Sequence, residues 1–132
     1  MIERFKNWEK PIIEEMKLTK YGWLVQHVKN LKLGDKTDIG AFTYINCKNG
    51  VEIEDNVQIG SHCSIYSFSS IDEKDEKVVL KENCKIGSHS TVMPGVTIGK
   101  NSVVGAHSFV KKSVPDNVLV FGVPAKIIKK LK

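Results

Sequence analysis

The chain has 132 residues, the size of one domain. Its content of 41% hydrophobic and 27% charged residues is typical of a globular protein and excludes a disordered one. The longest apolar runs are far shorter than the roughly 20 residues that a membrane span needs. Residues 1–10 are charged and lack the apolar core of a secretory signal peptide, so we expect a cytoplasmic protein.

The formal net charge is +5. The densest basic patch consists of Lys126, Lys129, Lys130 and Lys132. Such a patch attracts phosphate-bearing small molecules as well as nucleic acid. No nucleic-acid recognition module accompanies it, so we expect a small-molecule ligand and no nucleic-acid partner.

An aliphatic residue recurs at a spacing of six residues through most of the chain. The three uninterrupted series are Leu33, Ile39, Ile45; Ile53, Ile59, Ile65, Ile71; and Leu80, Ile86, Val92, Ile98, Val104, Val110. A period of six does not fit a helix of 3.6 residues per turn. It is an even number, so these side chains point to one face of successive short strands. Three strands per coil predict stacked coils of about 18 residues with the aliphatic side chains inside.

A second pattern accompanies the first. The residue two positions before each aliphatic residue is small or β-branched at all sites except Leu31, and it includes Cys63 and Cys84. We expect these two cysteines to pack in the core as small hydrophobic residues. The three cysteines form no C-x-x-C pair, so neither a disulfide framework nor a zinc ribbon is predicted. Glycine follows the aliphatic residue in about half of the repeats, where we expect it to turn the corner with positive φ.

The pattern predicts one all-β domain in three parts. Residues 31–113 form the β-helix, and residues 114–132 form a tail with a strand or a short helix. Residues 1–30 form a cap that covers the strand edges of the first coil. Within this cap, residues 3–8 and 12–16 are predicted as short helical pieces separated by Pro11. The two breaks in the repeat predict loops that leave the coil, at 46–50 and within 72–77, and loops on a rigid scaffold often carry function.

The segment CKIGSHSTVMPGVTIG, residues 84–99, resembles the hexapeptide-repeat acyltransferases and is closest in pattern to the galactoside and maltose acetyltransferases. The following SVVGAHSFVKKSVPDNVLVFGVPAKII, residues 102–128, extends the likeness. The resemblance implies a left-handed parallel β-helix that assembles as a homotrimer. It also implies transfer of an acyl group from acetyl-CoA to an amino or hydroxyl group of a sugar or nucleotide-linked sugar, without a metal.

The resemblance also assigns cofactor-binding positions. Ser88 and Ala106 match residues that hold the pantetheine arm of CoA in the cleft between neighbouring β-helices. Four lysines match or extend the positions near the CoA phosphates: Lys111, Lys112, Lys126 and Lys129. A lysine neutralises a phosphate as a point charge, without the bidentate contact that arginine makes.

The chain departs from this family at the expected catalytic base. The family histidine position, five residues after Ile65, is Ser70, and the approximate match of a family asparagine is Tyr44. A sugar hydroxyl needs a base near pH 7, whereas an amine of lower pKa needs less help. The missing histidine therefore favours an amine acceptor, or another base.

Three candidates for the base remain, and they are His62, His89 and Asp72. Counting three aliphatic residues per coil places His89 and His107 at one corner, together with Ser88 and Ala106. The same count places His62 at the preceding corner, beside Tyr44. We expect His62 to be the general base, with His89 and the loop carboxylate of Asp72 as alternatives. A structural role at the corner is the alternative for both histidines.

Two other functions are alternatives to acyl transfer. A non-catalytic trimeric scaffold is suggested by Ser70. A metalloenzyme like the γ-class carbonic anhydrases requires three histidines around zinc, two of them close in sequence. The spacings here are 27 residues from His62 to His89 and 18 from His89 to His107, which disfavours that site.

Overall fold

Short parallel strands wind into a three-sided solenoid. This computed structural model describes residues 6–132. Strands of the same side pair from coil to coil, and each side is one sheet, here called face 1, face 2 and face 3. The all-β left-handed parallel β-helix expected from the resemblance is confirmed.

The strands occupy the three faces in rotation. Face 1 contains β1 (Leu24–Gln26), β4 (Tyr44–Asn46), β7 (Ser64–Tyr66), β12 (Thr91–Val92) and β15 (Phe109–Val110). Face 2 contains β2 (Leu31–Leu33), β5 (Val51–Ile53), β10 (Val78–Leu80) and β13 (Thr97–Ile98). Face 3 contains β3 (Asp38–Ile39), β6 (Gln58–Ile59), β11 (Lys85–Ile86), β14 (Val103–Val104), β16 (Val118–Gly122) and β17 (Ala125–Lys130). A separate hairpin contains β8 (Phe68–Ser69) and β9 (Lys74–Asp75).

The strand register measures the length of each coil. Val92 pairs with Val110, which gives a coil of 18 residues, the length that three hexads predict. Ile45 pairs with Ile65, two residues beyond a regular coil, because the chain adds a turn after β4. Ile65 pairs with Val92, which makes that coil 27 residues, nine more than the regular repeat. Those nine residues form the hairpin that projects from the solenoid.

The aliphatic column fills the interior as predicted, with one exception. The buried members are Ile39, Ile45, Ile53, Ile59, Ile65, Leu80, Ile86, Val92, Ile98, Val104 and Val110. Leu31 and Leu33 pack against this core and are partly buried. Ile71 was predicted to belong to the column, but it is 94% exposed. Its six-residue spacing from Ile65 is coincidental, because the chain has already left the coil at β8.

The small residues beside the aliphatic column satisfy backbone carbonyls of the adjacent coil. The hydroxyl of Thr43 donates to the carbonyl of Gly60, 2.8 Å away, and the hydroxyl of Ser90 donates to the carbonyl of Gly105, 3.1 Å away. The thiol of Cys63 contacts the carbonyl of Gly87 in the same way. A small polar side chain here therefore compensates a carbonyl that would otherwise be buried without a partner.

The predicted reason for the repeated glycines is wrong. Positive φ occurs two residues after these glycines, as at His62 and His89, while Gly40 and Gly87 do not have positive φ. A Cβ on Gly87 would lie 2.4 Å from the backbone nitrogen of Ala106 in the next coil. Glycine is required because successive coils approach too closely for any side chain.

The first described segment does not form the predicted helical cap. Residues 12–16 are not helical, since Glu15 forms a parallel bridge with Val25 and Met16 is in a turn with φ of 56°. Residues 3–5 of the other predicted helical piece lie outside the described residues, and residues 6–8 are not helical. β1 then pairs with β4, so parallel pairing begins before residue 31. Pro11 and the β-branched Ile12 and Ile13 disfavour a helix here.

The tail closes face 3 as a hairpin. β16 pairs in parallel with β14, which continues the solenoid past residue 113, and β17 returns antiparallel to β16. Within residues 6–132 the only helix is the 3-10 helix Val28–Asn30. No helix in that range is long and apolar enough to cross a membrane.

The placement of Ile65 in the interior and of Ile71 in the projecting hairpin is testable by comparing Ile65→Ala with Ile71→Ala. The first change removes a fully buried side chain from the interior, and we expect it to lower the free energy of unfolding by about 2–5 kcal/mol. The second changes an exposed side chain, and we expect an effect within about 0.5 kcal/mol. Urea unfolding followed by circular dichroism measures both. Equal losses would contradict the assignment of Ile71 to the projecting hairpin.

The cysteines give a second test of the core. Burial raises the pKa of the Cys47 and Cys84 thiols to about 12 and also raises that of Cys63. We expect none of the three thiols to react with an aromatic disulfide reagent in the native protein at pH 8, since the reactive thiolate is suppressed and inaccessible. All three should react in guanidinium chloride. Rapid reaction of the folded protein would contradict the assigned packing.

Candidate active site

Four aromatic side chains stack along one edge of the solenoid, between face 3 and face 1. We call this edge the histidine corner, and its members are Phe42, His62, His89 and His107. The predicted placement of His89 and His107 at one corner is confirmed. The prediction that His62 lies at a different corner from His89 is wrong, because Ile71 was counted as a coil position. With Ile71 removed from the count, His62 falls in line with His89.

The three imidazole rings form a parallel column. The centroids of His62 and His89 are 4.9 Å apart with an interplanar angle of 3°, and those of His89 and His107 are 4.9 Å apart with an angle of 2°. The ring of Phe42 covers the end of the column, 5.3 Å from His62. All three histidine side chains are exposed, so the column is accessible to a ligand.

The backbone fixes where these rings point. His62, His89 and His107 have φ of 57°, 60° and 58°, in the left-handed region that histidine tolerates better than most residues. Each amide of the column donates to the preceding coil; for example, the His89 amide donates to the Ser61 carbonyl at 3.0 Å. Successive corners therefore repeat the same geometry and direct each ring to the same side.

A groove of about 510 Å³ runs along face 3 beside the histidine corner. Its floor includes the close-packed glycines of four coils, namely Gly40, Gly60, Gly87 and Gly105. Ser61 and Ala106 line its edge at the histidine corner, and Gln58 and Lys85 add polar side chains from the strands. Every lining residue belongs to face 3 or to the adjacent histidine corner, so a single chain supplies only one wall.

The residues expected to bind CoA lie in two places in the structure, some at face 3 and the others at the edge between face 1 and face 2. Ala106 lines the groove. Ser88 lies in the adjacent coil and packs closely on Gly60, because a Cβ atom added to Gly60 would be only 2.5 Å from the Ser88 backbone nitrogen. Lys126 and Lys129 lie exposed on β17, the outer strand of the same face. Lys111 and Lys112 follow β15 and lie at the edge between face 1 and face 2. Within one chain they are therefore separated from the groove by face 1.

The carboxylate candidate is not near the histidine corner of its own chain. Asp72 is exposed in the turn of the hairpin, where it accepts a hydrogen bond from the hydroxyl of Ser69 at 2.6 Å. The hairpin leaves the solenoid at the edge between face 1 and face 2. Ser70 lies in the same turn. The structure therefore brings His62 and His89 together and leaves Asp72 apart.

A tyrosine pair on face 1 was not identified as a site from the sequence. The rings of Tyr44 and Tyr66 meet edge to face, with centroids 6.0 Å apart. The hydroxyl of Tyr44 donates to Gln26 and accepts a hydrogen bond from the Asn46 amide at 3.1 Å. Partial burial raises the pKa of Tyr44. Both tyrosines directly flank buried aliphatic residues of the repeat, so their outward direction follows from the hexad register.

The histidine column does not form a zinc site. Parallel imidazole rings direct their ring nitrogens side by side, whereas a zinc ion needs nitrogens that converge at about 2.0–2.1 Å. No group of three or more histidine, cysteine, aspartate or glutamate residues within the described part of the chain has the geometry to hold a metal ion. The stacked geometry instead suits a proton-transfer or ligand-contacting role for individual rings.

Comparison with known proteins places this fold in a functional family. The family described as bacterial transferase hexapeptide (six repeats) matches residues 77–112. A galactoside O-acetyltransferase from Lactococcus lactis is 49% identical over 57 residues, covering 43% of this chain and 28% of that enzyme. The matched segments cover between 27% and 60% of the length of such curated relatives, so the chain spans less than two thirds of them.

Solved structures extend the likeness over most of the chain. A hexapeptide-repeat-containing acetyltransferase from Vibrio cholerae is 30% identical with a TM-score of 0.75, and the match covers 83% of this chain and 68% of that chain. The same Vibrio cholerae protein has been solved with acetyl-CoA. A mutant of AntD, an N-acyltransferase from Bacillus cereus solved with dTDP and CoA, is 25% identical with a TM-score of 0.73, and the match covers 87% of this chain and 80% of that chain. The hexad register, the glycine-lined groove and these matches together show that the chain belongs to the hexapeptide-repeat acyltransferase family.

Proposed function

We propose that this protein transfers an acetyl group from acetyl-CoA to an amino or hydroxyl group of a sugar or nucleotide-linked sugar in glycan biosynthesis, in the cytoplasm. The observation that carries the proposal is the groove of face 3 beside the histidine corner. It combines a floor that contains the close-packed glycines of four coils with a column of exposed imidazole rings. Relatives support the acceptor class, since they include galactoside O-acetyltransferases and an N-acyltransferase solved with an amino-sugar nucleotide.

The groove suits the pantetheine arm of acetyl-CoA. A long, thin chain with two amides fits a shallow channel whose floor is backbone, because amides hydrogen-bond to exposed backbone groups at low conformational cost. Ala106 and Ser88 are small enough to leave that channel open. We propose that Lys126 and Lys129, on the outer strand of the same face, attract the CoA phosphates.

A trimer completes the site in this proposal. The groove has one wall in the single chain, so a second copy is needed to enclose a cofactor. The edge that carries the hairpin, Lys111 and Lys112 is available for that purpose. A neighbouring copy placed there brings Asp72 and these two lysines toward the groove of the first, which reconciles their separation within one chain. Sedimentation measurements should give the mass of three chains.

The general base is proposed to be His62, with His89 as the alternative. Each has an exposed imidazole at the edge of the groove, where it can take a proton from an acceptor group that attacks the thioester carbonyl. The proton leaves the acceptor oxygen or nitrogen for the ring, the new carbon–oxygen or carbon–nitrogen bond forms, and the CoA thiolate departs. An amine acceptor depends less on this transfer than a hydroxyl acceptor.

The base assignment is tested with His62→Asn against the matched control His107→Asn. Both positions share the same corner and left-handed φ, which asparagine tolerates. For a hydroxy sugar, we expect loss of a base to lower kcat by roughly 10²–10⁴-fold in His62→Asn, with little change in the control. Thiol release from acetyl-CoA, measured with a panel of amino and hydroxy sugars and their nucleotide-linked forms, follows the reaction.

Three outcomes of that assay separate the alternatives. Full activity in His62→Asn contradicts the assignment of His62 as the general base and leaves His89 or Asp72 as the candidate. Equal losses in both variants indicate a structural role for the column. Binding of CoA without transfer to any acceptor by the wild-type protein supports the non-catalytic scaffold, which is motivated by Ser70 at the position of the family histidine.

The cofactor site is tested separately by Ala106→Phe and Lys126→Gln. The larger side chain obstructs the groove at its edge, and we expect CoA affinity to fall at least about tenfold. Removing one exposed charge should weaken CoA binding by no more than about fivefold, since such pairs contribute about 0.2–1 kcal/mol, and the loss should shrink at high salt. Lys81→Gln, an exposed lysine outside the groove, is the control. Unchanged affinity in Ala106→Phe would place CoA elsewhere.

A further inference from the structure

A second groove, of about 410 Å³, lies at the edge between face 1 and face 2, near the first coils of the solenoid. Four lysines line it, namely Lys29, Lys32, Lys48 and Lys77. Among residues 6–132, Glu52 is the one acidic residue that lines it, and Asn30 and Asn49 add amide side chains. We call it the basic groove. Within one chain it is separate from the groove of face 3, because face 1 or face 2 lies between them on either path around the solenoid.

The one carboxylate of the basic groove is already neutralised. Glu52 lies 3.0 Å from the Lys77 ammonium, which holds the pKa of that carboxyl below its usual range. Lys32 contributes to the same shift more weakly. Lys29 and Lys48 form no ion pair with a carboxylate of residues 6–132. The groove therefore retains a positive charge that its own residues do not balance.

The loop that forms one wall of the groove is held in place by its own hydrogen bonds. The Lys48 amide donates to the side-chain oxygen of Asn46, and the Asn49 amide donates to the hydroxyl of Ser67, each at 3.0 Å. The side-chain amide of Asn30 donates to the Lys48 carbonyl from across the groove, at 3.2 Å. The wall is therefore preorganised, which lowers the entropic cost of binding a ligand.

The position of Lys48 is also fixed from outside the loop. Its ammonium lies 3.9 Å from the centroid of the Phe68 ring, at the base of the projecting hairpin. A cation held over an aromatic face has a defined place without losing its charge. The contact leaves Lys48 available to a ligand anion on its other side and connects the basic groove with the hairpin.

The charges around the solenoid are segregated. The next groove along face 2 is lined by Glu54, Asp55 and Glu82 together with Glu52 and Lys32. A uniform scatter of solubilising charges would not place an acidic surface directly beside a basic one. The acidic groove repels anions, so an anionic ligand at this edge is directed to the lysines.

We propose that the basic groove binds a diphosphate ester. Three lysines remain after Lys77 pairs with Glu52, and a pyrophosphate group carries the two adjacent negative charges that best match them. Lysine binds phosphate as a point charge, and the groove is large enough for a sugar or nucleoside attached to the phosphates. CoA and nucleotide-linked sugars both contain this group. The inference rests on the proposed function only for the choice between those two sources.

The test is calorimetric titration of the full chain with inorganic pyrophosphate. The variant Lys32→Gln/Lys48→Gln removes two charges from the groove, and Lys17→Gln/Lys81→Gln removes two exposed charges elsewhere. We expect pyrophosphate to bind about tenfold more weakly to the first variant than to the wild type, and the control to bind like the wild type. All four side chains are exposed, so both variants should fold, which circular dichroism checks. Equal affinity in all three proteins, or no binding at millimolar pyrophosphate, overturns the proposal.

Two further titrations identify the source of the phosphates. Weaker binding of uridine diphosphate N-acetylglucosamine by the Lys32→Gln/Lys48→Gln variant, with CoA unchanged, assigns the groove to the acceptor. The reverse result assigns it to CoA. These measurements need no turnover, so absence of acyl transfer would remove the proposed function and leave the pyrophosphate result standing.

Discussion

The close stacking of one coil on the next is the constraint on which the rest of this structure depends. Each strand has only two or three residues in most of the solenoid, so no strand is stable alone and each relies on the coils on both sides. Backbone hydrogen bonds between coils set the spacing, and the inward aliphatic side chain fixes the register. At Gly87 that spacing leaves no room for a Cβ, and at Ser90 it requires a hydroxyl to satisfy a carbonyl of the neighbouring coil.

The same constraint builds the candidate site. Because every coil turns its corners with the same geometry, a residue type repeated at one hexad position becomes a column in space. Histidine at one corner produces parallel rings 4.9 Å apart, and glycine beside it produces a groove floor of bare backbone. The edge between face 1 and face 2 is the exception, since the chain inserts extra residues there. The departures from the repeat are concentrated at this edge. They are the projecting hairpin and the loop that forms one wall of the basic groove.

The repeat was sufficient to predict the stacked coils, the interior column and the burial of Cys63 and Cys84, because an even period of six directs these side chains to one face of short strands, while the left hand of the solenoid came from the family resemblance. It was insufficient where an insertion imitates the repeat. Ile71 continues the spacing from Ile65 by chance, and counting it shifted His62 by one corner. Proximity between coils is also invisible in a linear pattern, so the glycines were assigned to corners with positive φ, although the cause is the close approach of the next coil. The basic groove joins lysines from the 3-10 helix, the turn after β4 and the base of the hairpin, which no sequence spacing connects.

A structure with acetyl-CoA bound would show where the cofactor lies. We predict that the pantetheine arm lies along the groove of face 3, over Gly60, Gly87 and Gly105, with the thioester beside His62 or His89 and a second copy of the chain forming the opposite wall. Acetyl-CoA bound at another face, or in the same groove with its thioester remote from the histidine corner, would contradict it.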